Sequence, residues 1–210
     1  MGNETNINLI KNAKNLFAKR GFYGVSLASI AEKTGVTKQA LLHYFRNKES
    51  LYGEVLGDIS NSLNSIVISS INENKDPKLQ LIHIFDALLK RSLLEKEETM
   101  LLMREILDNK NRSDASQKWY LKDFLKSLTL ILNKTPNWKN ASEAELLSSI
   151  YILLGSIEYS VISEPTLNSI YGKKIYSSFK NNLPQSLRNM VLITVNPVSY
   201  THLRAHETNS

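Results

Sequence analysis

Apolar positions along this chain recur at steps of three and four, the period of a helix facing a core, and strict alternation is scarce. No Asn-Gly or Asp-Gly hairpin turn appears. Ile10, Ala13, Leu16 and Phe17 mark a first helix over about 6–20, stopped by Gly21. Ser26 is placed to cap a second helix carrying Leu27, Ile30 and Ala31 on one face. Gly35 interrupts, and Thr37 can cap a third helix with Leu41 and Phe45. Asn47 can cap a fourth, from Lys48 to about 72, with Leu51, Val55, Ile59 and Leu63 at helical steps.

Asp76-Pro77 opens the next helix, with Pro at the first helical position and Leu81, Ile84, Phe85, Leu88 and Leu89 as its apolar face. Further helices are expected over about 97–109 and 113–133. Ser142-Glu143-Ala144-Glu145 reads as a capping box before an apolar run to Ile162, which should be buried on more than one side. Glu164-Pro165 breaks that run. A last helical region follows to about 194, with Pro184 as its expected break or kink. The expected fold class is therefore all-α: a three-helix head, residues 1–48, on a larger helical body, residues 49–195. Residues 196–210 continue no pattern and read as a non-native or disordered tail.

Charge is distributed unevenly. The first 50 residues hold eight Lys/Arg against three acids, whereas the other 160 are nearly balanced. A basic patch attracts phosphates through Coulomb force and counterion release, although a merely solvated basic face looks the same in composition. The absence of cysteine excludes disulfides, thiolate metal sites and a cysteine nucleophile, and fits a reducing cytoplasm. No signal peptide is evident, and no apolar run approaches the roughly 18–20 residues that span a bilayer.

The most informative stretch is Ser26 to Phe45, two short helices flanking a Gly turn. Ala31 falls where two helices must approach closely, and Gly35 supplies the positive φ of a sharp turn. Such a helix-turn-helix places the first residues of its second helix in the major groove. Here these are Thr37, Lys38 and Gln39. Gln pairs bidentately with adenine, and Lys reaches guanine or a phosphate. Phe45 shares the apolar face of Leu41 and reads as a packing residue.

Residues 8–55 resemble the TetR family of bacterial regulators. The resemblance rests on Phe17-Ala-Lys-Arg-Gly-Phe22, Ser26-Leu-Ala-Ser-Ile-Ala, Gly35-Val-Thr-Lys and His43-Tyr-Phe-Arg-Asn-Lys-Glu-Ser-Leu51. It implies that Ser26, Lys38, Gln39, Ala40, Leu42, His43, Tyr44 and Lys48 lie at DNA. Leu42 departs from the usual Tyr, which removes a hydroxyl contact but leaves an apolar group for a thymine methyl. The resemblance also implies a homodimer reading a palindromic operator. Its half-sites would be about 34–36 Å apart, and the last two long helices would form a dimer bundle. A pocket for a small apolar or amphipathic ligand is implied within about 77–160. Phe85, Met103, Trp119 and Tyr151 are its candidate lining, with an ordinary core role as the alternative for each. Glu158, within the last apolar run, could serve an internal ion pair, a dimer contact or a ligand.

No phosphate-binding Gly loop, nucleophile elbow or His-Glu-x-x-His motif occurs, so neither enzyme chemistry, a cofactor nor a metal is expected. Three functions are consistent with these residues. The first is a repressor released by a small molecule, and the second a DNA binder controlled by a protein partner or acting architecturally. The third is a helical interaction protein that does not bind DNA.

Overall fold

The computed structural model describes residues 2–108 and 120–196. The described residues form nine α-helices and no strand: α1 (Gly2–Arg20), α2 (Leu27–Thr34), α3 (Lys38–Tyr44), α4 (Lys48–Glu73), α5 (Pro77–Leu94), α6 (Lys96–Asp108), α7 (Lys122–Asn133), α8 (Glu143–Ile162) and α9 (Glu164–Val195). A 3₁₀ turn, Pro136–Trp138, joins α7 to α8. Trp119, the start of the helix expected over 113–133, and residues 197–210 of the tail lie outside the described residues.

Local chemistry sets most boundaries. The side chains of Ser26, Thr37, Asn47 and Asp76 each accept a backbone N–H of the first turn they precede. Ser142 and Glu145 form the reciprocal capping box at the start of α8. Gly35 ends α2 at φ 71°, a left-handed value that costs a residue with a Cβ about 1 kcal/mol or more. Its N–H donates back to Ala31 and Glu32, which turns the chain sharply into α3.

One core runs through head and body. In the head it gathers Leu9, Ala13 and Phe17 of α1, Ile30 of α2, Leu41 of α3 and Phe45, against Leu51 and Tyr52 of α4. In the body α4, α5, α7, α8 and α9 pack together, and α6 lies against α1 on one side and α8 on the other. Three polar ties hold α6 against α1 and the start of α4. Glu98, buried on α6, accepts Lys14 Nζ of α1 at 2.6 Å and Arg91 Nε of α5 at 2.8 Å. Arg104 donates to the carbonyls of Ala18 and Lys19 at the end of α1. The Tyr52 hydroxyl donates to Glu105 at 2.7 Å.

Two expectations need correction. The break in the last helix falls at Gly172 (φ 78°, ψ 161°), a conformation open almost only to glycine, whereas Pro184 sits inside regular helix. Pro184 and the residue four before it, Lys180, are both exposed, so water can take the carbonyl that the proline ring leaves unbonded. In addition, α8 is long and apolar enough to cross a membrane by length and composition alone. Leu146, Ile150, Leu153, Ile157 and Val161 form its buried stripe in the core. Leu147, Tyr151, Ile152 and Tyr159 stay exposed, as do Ile170, Tyr171, Ile175 and Ile193 on α9.

Candidate nucleic-acid interface and body cleft

The head presents α3 outward. Its inner side is fixed by Leu41, fully buried, and by Phe45 just beyond its end. With those two anchored, a helix of seven residues must turn Lys38, Gln39, Leu42 and His43 to solvent, and all four are exposed. Tyr44 is exposed beside them, its ring edge-on to His43 at 6.0 Å. Ala40 is half-buried. Thr37 is exposed, and its hydroxyl oxygen caps α3 by accepting the Ala40 N–H at 3.0 Å. Ser26, also exposed, does the same for α2 through Ser29. The arrangement offers a cation, an amide, an imidazole and a phenol on one convex face, the donor set that base edges and phosphates accept.

Lys48 differs from the rest. Its ammonium donates to the carbonyls of Phe22 and Val25, each at 3.0 Å, and lies 4.3 Å from the centre of the Phe22 ring. It therefore ties the start of α4 to the α1–α2 turn, and only its third N–H is left for anything outside. Arg46, exposed two residues earlier, escaped the sequence reading, although a basic residue in a turn beside the recognition helix is a usable signal.

The body holds a cleft of about 200 Å³. Leu63 of α4 and Leu88 and Ser92 of α5 form one wall, Thr99, Met103 and Ile106 of α6 another, and Phe124 of α7 and Gly155 of α8 lie opposite. Of the residues named from the sequence, Met103, Tyr151 and Glu158 are on its lining. Phe85 does not. It is fully buried in the core, and α5 reaches the cleft only later, through Leu88 and Ser92. Burial pushes the Glu158 carboxyl up to about 6. The Tyr151 hydroxyl is raised too, first by burial and then by the neighbouring Glu158 charge. The remaining lining residues are spread over five helices, and no local pattern in the sequence marks them. Gly155, in the middle of an apolar helix, was the one visible hint.

Comparison with known proteins places this geometry. Residues 9–55 match the profile described as bacterial regulatory proteins, tetR family. An uncharacterized HTH-type transcriptional regulator of Bacillus subtilis, YdgC, is 32% identical over 73 residues, 35% of this chain and 37% of that protein. The negative transcriptional regulator IcaR of the Staphylococcus aureus biofilm operon is 33% identical over 67 residues, 32% of this chain and 35% of its own. The matched segments thus span little more than a third of these relatives. Over the whole fold, the regulator FadR of Bacillus subtilis, solved in complex with stearoyl-CoA, superposes with a TM-score of 0.68. That match covers 91% of this chain and 98% of the other at 16% identity, so the two share a fold.

Proposed function

We propose that this chain, whose head belongs to the TetR family, is a sequence-specific DNA-binding transcriptional regulator that acts as a homodimer and is released from DNA by a small molecule. The observation that carries the reading is the α3 face: Lys38, Gln39, Leu42, His43 and Tyr44 all exposed on a helix whose other side is locked into the core. In this reading residues 1–48 hold DNA. Gln39 and Lys38 read base edges, Leu42 meets a thymine methyl, and Ser26, Thr37, Ala40, His43 and Tyr44 lie against the backbone. Lys48 adds a phosphate contact through its remaining N–H.

Residues 49–195 pair the protomers and hold the ligand. Both α8 and α9 carry exposed apolar residues, which suits a four-helix bundle between two copies. The two heads then meet half-sites of a palindromic operator. The cleft supports a small-molecule signal, and FadR, of the same fold, binds stearoyl-CoA. Repression is the sign carried by the name of IcaR. A DNA-binding regulator of this kind works in the cytoplasm, without catalysis.

The test is binding of full-length protein to its own upstream DNA and to a scrambled sequence at two salt concentrations. Specific DNA should bind about a thousandfold or more tighter, and both affinities should fall steeply with salt. Lys38→Ala/Gln39→Ala should remove the preference while leaving the fold intact. Equal, weak binding to both sequences, and an empty selection from a random DNA pool, would refute the reading.

A further inference from the structure

The cleft in the body has one anchor, and its chemistry narrows what can bind. Glu158 lies on the lining, largely withdrawn from water, and no side chain among the described residues pairs with it. Among the described residues every other lining group is apolar or an uncharged hydroxyl, and no Lys, Arg or His of theirs lines the cleft. A carboxylate thus stands against a predominantly apolar wall, and no described residue supplies its counter-ion. Elsewhere it pairs its buried acids: Glu98 has Lys14 and Arg91, and Glu105 has Tyr52.

We propose that the cleft binds a small organic cation, an apolar ring or short alkyl chain bearing an ammonium group, whose charge Glu158 receives.

Position supports this. Tyr151, Leu154, Gly155 and Glu158 fall at i, i+3, i+4 and i+7 on α8 and so form one stripe along the cleft. Tyr151 and Phe124 add aromatic rings to the same lining, and aromatic rings attract cations. Gly155 leaves the floor open: a Cβ built there meets nothing within 4 Å. Size sets an upper limit. An apolar cavity of about 150 Å³ takes up benzene, so one of about 200 Å³ suits a single ring with a short amine arm. An anionic head group fits poorly, since it would sit beside Glu158 with no cation to offset either charge. The raised titration of Glu158, caused by burial, is what an acid awaiting a counter-ion shows.

This inference rests on the reading of the body as a sensor, and its test is independent of DNA. Calorimetry on the full chain at pH 7.5 compares three probes of one shape: 2-phenylethylammonium, neutral 2-phenylethanol and the anion 3-phenylpropionate. The cation should bind tightest. Glu158→Gln should weaken it by about ten- to a hundredfold, the worth of a hydrogen bond to a charged group, and change the alcohol by less than threefold. Gly155→Leu, which fills the floor with a good helix former, should abolish binding of all three. A preference for the anion, equal affinities, no binding by any probe, or an unchanged cation affinity in either variant would overturn the assignment. If the probes fail while operator binding stays tight and specific, the ligand class falls and the regulator stands. If the cation binds as expected while no DNA is selected, the site stands and the regulator falls.

Discussion

Replacing Glu98 with Gln should loosen the tie between head and body by an amount the structure fixes within a narrow range. Its side chain is 6% exposed and accepts Lys14 Nζ at 2.6 Å and Arg91 Nε and Nη2 at 2.8 and 3.0 Å. Lys14 is itself only 12% exposed, and its one other carboxylate, Glu95, stands 3.7 Å away and half in water. Removing one partner of a buried ion pair costs about 3–5 kcal/mol, because the remaining charge stays desolvated. Arg91, 29% exposed, can regain water, and Glu95 can move toward Lys14. The expected loss is therefore about 2–4 kcal/mol, out of about 5–15 for a typical domain.

Urea unfolding followed by circular dichroism, at fixed protomer concentration, reads this directly. With a slope of about 2 kcal/mol/M the midpoint should fall by about 1–2 M. The drop should be nearly the same in 0.1 and 0.5 M salt, since a buried pair is poorly screened. A cycle with Lys14→Met should show about 1–3 kcal/mol of coupling. Replacing Lys14, Arg91 and Glu98 together by Met should recover much of the loss, because no charge is then left buried alone. A midpoint unchanged within about 0.3 M, or strictly additive single variants, would show that the triad holds nothing together.

Three shorter predictions follow the same logic. Glu158 titrates near 6 in the fold against an ordinary 4.5. The folded state therefore holds the proton more tightly, and stability should fall as pH rises from about 4.5 through 6. Glu158→Gln should remove that slope and be more stable than the parent by up to about 2 kcal/mol at pH 7.5, but not at pH 4. Thermal melts at the two pH values decide, and parallel profiles would contradict the buried-acid account. Lys48→Met should lower stability by about 1–3 kcal/mol through its two lost carbonyl contacts. If its charge also meets a phosphate, the slope of log affinity against log salt should drop by about 0.9; an unchanged slope would leave Lys48 a purely internal role. Gly155→Ala should stabilise α8 by about 0.5–1 kcal/mol in the same urea assay, since it lowers chain entropy where a Cβ meets open space. A loss of stability there would mean that the floor of the cleft is tighter than the geometry implies.

What the sequence revealed was whatever local chemistry dictates. Ser26, Thr37, Asn47, Asp76 and Ser142 act within a turn of themselves, so each cap could be placed from the residues alone, and each is observed. On α3, period marked Leu41 and Phe45 as the inward pair, whereas the outward residues came from helix-turn-helix docking and the family resemblance. Pro184 misled because the rule against proline in helices assumes a carbonyl cut off from water, and here both Pro184 and Lys180 lie on the exposed side of the helix. Gly172, which carries the break, looked like any other glycine in a polar stretch. The ties between head and body were illegible for a different reason. Lys14 and Glu98 are 84 residues apart, and Arg104 reaches Ala18 across 86. No periodicity encodes such a pairing; only the packing of α6 on α1 brings the partners together. The cleft is of the same kind, which is why Phe85 was a reasonable expectation and Thr99 was not.

The two features meet on α6. Glu98 and Glu105, seven residues apart, turn toward the head side with Arg104 next to them, while Thr99, Met103 and Ile106 line the cleft. A ligand in the cleft therefore presses on a helix whose opposite side is fastened to α1. Ligands shift such equilibria by about 1–3 kcal/mol of differential binding, and the Glu98 triad alone holds with about 2–4. Arg104 adds a further tie to the end of α1, so the signal should move α6 and α1 as one body rather than part them. In the proposed regulator, α1 would carry the head with it and change the spacing of the two α3 helices on DNA. A variant with the triad weakened, such as Glu98→Gln, should keep its affinity for the ligand and lose the ligand's effect on operator binding. If release remained complete in that variant, α6 would be excluded as the lever, and α4, which also lines the cleft and packs on α1, would be the next element to test.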